Sequence, residues 1–362
     1  MLRPITRGWV VRGEVPGPDV DEFADEVSVT TALARASAGS LLAVQHPHRT
    51  PAAIAAGLTL DDALPSARAA LRELTRQAYR PVTDVIAPYQ VDGPDGSAIG
   101  LLCMVEPDPE FVRHSEDVFP DVVAERARVL SGLGALTSAA LLVPVHSGAE
   151  LTAAVASATT GPPAVSTVDT SGRRHRLWLV DSPELLAVAS AAPLMVADGN
   201  HRVAAAAQAG GLLAFVTAGP DLRIRGFHRV LRGVDPAALL DAWRGLDIRR
   251  APDAMPPTQP GTLVAQLRGD RYVITLPRED GVIDHAVLES LLAAAGIDPA
   301  GPQVRTFPDG REPPDADVLL YLAPVPLPDV LAVHAAGGRM PRKSTYFTPK
   351  PRSGLLIAEL GG

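Results

Sequence analysis

The stretch Pro193-Leu-Met-Val-Ala-Asp-Gly-Asn-His-Arg-Val203, continued through residues 204–211, decides how this 362-residue chain is read. Residues 194–197 are a short apolar run of the kind that forms a buried strand, and Asp198-Gly199-Asn200 is a turn. Residues 201–209 read as an Ala-rich helix stopped by Gly210-Gly211. A strand that turns directly into a helix N-terminus aims unpaired backbone N–H groups and the positive dipole end at one spot. Gly199 permits close backbone approach there, and Asn200 is the N-cap candidate. Asp198 supplies a carboxylate able to hold a metal or a hydroxyl. His201 adds a titratable donor and Arg202 a permanently cationic one. Phosphate binding is the natural chemistry of such a turn. The plain alternative is an ordinary Asp-Gly-Asn turn with a solvated Arg202.

Working outward, 46% hydrophobic and 20% charged residues describe a folded globular chain, long enough for two or three lobes. Aromatics are only 4%, so the cores are built mainly from Ala, Leu and Val. With 33 basic against 41 acidic residues the net charge is −8, and no Lys/Arg block interrupts it. That balance argues against a nucleic-acid partner bound through its phosphates. Cys103 is alone, which excludes a disulfide framework within the chain and fits a reducing cytosol. The first residues lack the apolar core of a signal peptide, and no apolar run reaches membrane-spanning length. The expectation is a cytoplasmic protein with small-molecule partners and no membrane contact.

Three segments are expected. Residues 1–84 read as an α-rich extension, with a helix over 65–79 whose Leu71, Leu74 and Ala78 share one face. Residues 85–232 form the central domain: a hairpin of 85–91 and 99–105, a helix over 121–133, and a strand over 141–145. A second hairpin (165–168 and 175–180), a helix begun by Ser182-Pro183, and the opening motif follow. Residues 233–362 form a further α/β lobe, with a hairpin around Gly269-Asp270, helices over 284–295 and 328–336, and a strand over 318–322. The fold class is α/β (α+β), with the active edge at the strand ends. His46-Pro-His-Arg49 is read as a loop. The final segment, 339–354, concentrates five cationic side chains, Arg339, Arg342, Lys343, Lys350 and Arg352, among hydroxyl and aromatic residues. Local positive charge of this kind suits an anionic ligand such as a nucleotide phosphate.

Four blocks carry a resemblance: Arg113-His-Ser-Glu116, Ala197-Asp-Gly-Asn-His-Arg202, Phe227-His-Arg229 and Met340-Pro-Arg-Lys-Ser-Thr-Tyr-Phe-Thr-Pro-Lys350. In this order they resemble the bacterial domain-of-unknown-function family ten-fifteen. That family is in turn similar to the archaeal ADP-dependent free serine kinase, a ParB/sulfiredoxin-like protein. The kinase has an Asp-Gly-His-His-Arg motif after a strand, a Pro-His-Glu segment with its catalytic glutamate, and a Pro-Lys-Thr-Thr-Arg segment near its C-terminus. Residues 198–202, 114–116 and 341–345 would correspond. Two positions depart from the pattern. Asn200 stands where the kinase motif has its first histidine, and Ser115 splits the His-Glu pair.

The resemblance implies a ParB/sulfiredoxin-like central domain and phosphoryl transfer from ADP or ATP, with Mg²⁺, to the hydroxyl of free L-serine or a similar metabolite. Positioning and charge neutralisation dominate such chemistry. Glu116 would be the general base, Asp198 would hold Mg²⁺ or the acceptor hydroxyl, and His201 and Arg202 would stabilise the transferring phosphoryl. Gly199, Asn200, Lys343, Ser344 and Thr345 would bind the nucleotide phosphates, with Lys350 and Arg352 as weaker candidates. His114, His228 and Arg229 would bind the substrate. Glu116, Asp198 and Lys343 would then have to face one cleft. The alternatives are a ParB-like nucleotide-binding regulator and a non-catalytic nucleotide or phospho-metabolite binding protein.

Overall fold

Gly93 and Gly96 face each other across the two-residue loop Pro94-Asp95, and the strands that they end, Ala87–Gly93 and Gly96–Val105, form the expected hairpin. Around it the computed structural model, which describes residues 1–19, 26–36 and 39–361, is a mixed α/β protein. It divides into two units. The first comprises 1–114, 118–222 and 349–362, and the second 115–117 and 223–348.

In the first unit a nine-stranded sheet is built on that hairpin. Along it lie Val112–Arg113, Leu194–Asp198, Ala140–Pro144, Leu212–Asp221, Gly96–Val105, Ala87–Gly93, Arg174–Leu177 and Val165–Val168, with Leu2–Arg3 pairing to the side of Gly96–Val105. Only two pairings are parallel, Leu194–Asp198 with Val112–Arg113 and Leu212–Asp221 with Ala140–Pro144. The other pairings are antiparallel: Ala87–Gly93 with Gly96–Val105 and Val165–Val168 with Arg174–Leu177 are hairpins, and the rest join strands distant in sequence. Leu101, Cys103, Leu142, Val196, Ala214 and Val216 fill the core on one face, where they are shielded completely or nearly so.

The segment read as α-rich carries four helices, Glu26–Arg35, Leu41–Gln45, Pro51–Ala55 and Leu60–Ala78, but also strands at both ends. Ile5–Val11 and Tyr79–Val85 pair with each other, and Leu356–Glu359 and Ala135–Leu136 extend them into a second sheet. The helix expected over 65–79 starts at Leu60, where Thr59 and Asp62 form a reciprocal capping box, and carries Pro65 inside it. Leu71 and Leu74 are buried on its inner face.

In the second unit six antiparallel strands follow the order Ile248–Arg250, Asp270–Thr275, Thr262–Leu267, Val318–Leu322, Phe227–Leu231 and Val304–Pro308. The tight loop Arg268-Gly269 has both residues at positive φ, as a hairpin turn of this hand requires. Helix Asp284–Ala294 packs Leu288 and Leu292 against the core with Trp243 and Leu320. No helix among the described residues is long and apolar enough to cross a membrane.

Candidate functional site

In the first unit, strand Leu194–Asp198 ends in a β-bulge: Val196 pairs with Leu142 and Asp198 with Leu141, leaving Ala197 as the extra residue. A bulge breaks the alternation of a strand and re-aims the next side chain. Gly199 follows at φ 95°, ψ 30°, and is itself the N-cap of helix Asn200–Ala209. Asn200, expected as the cap, is instead the first helical residue, because the left-handed turn falls one position earlier, on the glycine that tolerates it. A Cβ on Gly199 would lie 2.7 Å from Arg202 Nε and 3.2 Å from the Ala140 methyl. The glycine is therefore needed for both the turn and the fold-back of Arg202.

That fold-back builds the charged centre. Arg202 donates to Asp198 Oδ2, and Lys350 Nζ donates to Asp198 Oδ1 at 2.6 Å. The three side chains are 12%, 20% and 22% exposed for Arg202, Lys350 and Asp198. Two cations on one carboxylate leave a net positive charge at a helix N-terminus. Both oxygens of Asp198 are thereby engaged by cations, and among the described residues no group of three or more His, Cys, Asp or Glu could hold a metal ion. Asp198, expected to hold Mg²⁺ or the acceptor hydroxyl, is here held by Arg202 and Lys350.

Two neighbours of the turn are tied to the fold. His201 Nε2 accepts the N–H of Phe119 at 2.9 Å, and its ring stacks on that phenyl ring with centroids 5.8 Å apart. A nitrogen that accepts carries no proton, so His201 does not present an Nε2 donor to a phosphoryl group. His114 Nδ1 and Asn200 Oδ1 lie 3.1 Å apart, joining two segments 86 residues distant in sequence. The amide oxygen can only accept, which places the proton on His114 Nδ1.

The remaining expected residues belong to the second unit. Glu116 is 9% exposed. Its Oε2 accepts the N–H of Lys343, and its Oε1 accepts the N–H groups of Ser344 and Thr345 and the Thr345 hydroxyl, at 2.9 to 3.1 Å. Successive amides converging on one anion form a backbone nest. Ser344 Oγ donates to the Pro341 carbonyl at 2.6 Å. The phosphate-binding groups expected of Ser344 and Thr345 are thus occupied from within the unit, and Glu116, expected as a general base, is the internal anion of the loop. Lys343 sits at φ 55°, with Nζ 5.5 Å from the centre of the Phe227 ring.

Arg229 closes the loop from the other side. Its guanidinium donates to the carbonyls of Lys343 and Arg342, both at 3.1 Å, and burial pulls its pKa down to about 10. Its fork, expected to grip a substrate carboxylate, has backbone acceptors in this structure. His228 is also structural. Its Nδ1 accepts the Leu322 N–H, its ring lies against Phe307 and Tyr321, and burial lowers it to about 4. Their residue types are visible in the sequence, but the partners that occupy them come from segments far away in the chain.

The family described as "Protein of unknown function (DUF1015)" matches residues 32–293. No curated protein matches the chain. Among solved structures it is similar to SbnI from Staphylococcus aureus with a C-terminal truncation, at 16% identity and a TM-score of 0.45, covering 71% of this chain and 87% of that one. It is also similar to a free serine kinase in complex with AMP, at 12% identity and a TM-score of 0.41, covering 70% and 92%. A conserved hypothetical protein from Pyrococcus furiosus is similar at 11% identity and a TM-score of 0.40, covering 70% and 95%.

Proposed function

The chain belongs to the DUF1015 family, and we propose that it binds a nucleotide phosphate at the turn 199–202 and transfers a phosphoryl group to a small hydroxy metabolite, free L-serine first. One observation carries this reading: Lys350 and Arg202 meet on the single carboxylate of Asp198 at the start of helix Asn200–Ala209. Side-chain ion pairs can exchange partners. A phosphate entering the turn takes donors from Arg202, Lys350 and the first helical amides, and Asp198 is left to orient the acceptor hydroxyl. Arg202 then neutralises charge that grows as the phosphoryl moves, a role worth about 10²- to 10³-fold in rate for one donor.

The test is phosphorus NMR of the purified protein with the Mg²⁺ complex of ADP or ATP and L-serine. Phosphoserine is the expected product. No product with either donor, across a panel of hydroxy amino acids, overturns the transfer step.

A second reading has its own support. Both oxygens of Glu116 accept loop donors, so no carboxylate in the second unit's loop stands ready to take a hydroxyl proton. Nucleotide binding without turnover follows from it, and calorimetry showing ADP binding with no product selects it.

A further inference from the structure

Helix Pro120–Leu133 of the first unit begins on Phe119, whose side chain makes no capping hydrogen bond. Ser, Thr, Asp and Asn are the residues that stabilise such a position. Nor does packing account for the ring. Val118 and Val123, placed as the two halves of a hydrophobic staple, share a small core with Ala127, Ala204 and Ala205. Phe119 and Val122 stay outside that core, 39% and 40% exposed. No other Phe, Tyr or Trp among the described residues is as exposed as Phe119.

The exposed ring is nevertheless held in place. Its backbone N–H donates to His201 Nε2 at 2.9 Å, and the imidazole lies against the phenyl ring with the two planes 13° apart. His201 stands between Asn200 and Arg202 in the first turn of helix Asn200–Ala209. Further along, Val123 and Ala127 of one helix meet Ala204 and Ala205 of the other. The phenyl ring is therefore tied at two levels to the helix whose start is the phosphate turn. A fixed aromatic surface loses little entropy when a ligand settles on it. Beside an anion-binding helix start, it suits a ligand that carries both a flat π-system and phosphates.

We propose that Phe119 is the nucleobase platform of this site. The phosphates of a nucleoside diphosphate sit on the turn 199–202 with Arg202 and Lys350, and the base stacks on the Phe119 ring. Val122, three residues on, widens the apolar surface. His201 is a positioning residue that holds the platform. Stacking accepts any base, so Phe119 supplies affinity for a nucleotide over bare phosphate and little choice among bases. The assignment rests on the phosphate-binding reading of the turn and is independent of whether a phosphoryl group is transferred.

The test is titration calorimetry on the full chain with ADP and with inorganic pyrophosphate, which has the phosphates and no base. ADP is expected to bind the unaltered protein at least about 10-fold more tightly. Phe119→Ala is expected to weaken ADP about 10- to 100-fold, the scale of one base–aromatic stack, and to change pyrophosphate less than about 2-fold. Phe119→Trp is expected to keep ADP affinity, with indole fluorescence quenched by ADP and not by pyrophosphate. Unchanged ADP affinity in Phe119→Ala overturns the platform and leaves the phosphate turn standing, as does an equal loss of both ligands. If the unaltered protein binds neither ligand, the phosphate turn itself falls and the platform with it. Where circular dichroism shows Phe119→Ala unfolded, Phe119→Trp decides: quenching by ADP alone supports the stack, and no quenching overturns it.

Discussion

Asp198 and Glu116 are both carboxylates gripped by several donors, yet the donors differ in kind. Asp198 is held by the tips of two long side chains, Lys350 and Arg202. Glu116 is held by three consecutive backbone amides and one hydroxyl. Side-chain tips change partners by rotating bonds, whereas backbone amides leave only if the loop itself refolds. The first arrangement is suited to ligand exchange and the second to holding a loop in shape. Lys343, at a positive φ that a lysine rarely adopts, shows what the second arrangement sustains.

If Glu116 is a pin, Glu116→Ala has the largest effect. It strands buried amides with no acceptor and is expected to destabilise the second unit by about 3–5 kcal/mol, read from urea unfolding. A loss under about 1 kcal/mol would erase the contrast with Asp198. If Asp198 marks an exchangeable site, Arg202→Ala weakens ADP binding or turnover about 10²-fold while the unfolding midpoint moves much less. Equal ADP affinity in that variant would remove the turn from the binding site.

Acid sharpens the same comparison. The unfolded chain binds a proton at His228 near its ordinary 6.5, and the folded chain does so only near 4. The stability that the buried neutral ring confers is complete above pH 6.5 and drains away as the pH falls toward 4, by about 3 kcal/mol in full. His285, lowered to about 3 by burial, adds to the slope. Thermal melts from pH 7.5 to 4 should show it, and His228→Gln should flatten it; an unchanged slope would count against the buried-imidazole account. The smallest effect is Gly199→Ala. An alanine at φ 95° costs about 1–2 kcal/mol, and its methyl displaces Arg202 from Asp198. Calorimetry with ADP should show the displacement as weaker binding even where the melt barely moves.

Much of the local structure was legible. The strand ending at Asp198, the hairpin across Pro94-Asp95, the helix opened by Ser182-Pro183 and the strand Val318–Leu322 all follow from apolar period, turn residues and caps. Where the reading slipped, a nearby residue gave a competing signal. Pro65 hid the true start of its helix at Leu60, since proline is favoured in a first turn and is here inside the helix. Asn200 looked like a cap because asparagine caps well, but Gly199 takes the left-handed conformation at lower cost. Ile5–Val11 was missed because its pairing partners are Tyr79–Val85 and Leu356–Glu359, far away in sequence.

By itself the sequence determined the mixed α/β class, most of the turns, and the places where charged and hydroxyl residues gather. These depend on interactions within a few residues, which composition and spacing report directly. Only the tertiary structure decided what each of those residues does. Whether Glu116, Ser344, Arg229 or His201 faces a ligand or another part of the fold depends on which distant amide, carbonyl or ring reaches it. The cavity beside Arg352 has the same origin: residues near 17, 169, 175 and 352 enclose one space, and no local pattern records that they meet.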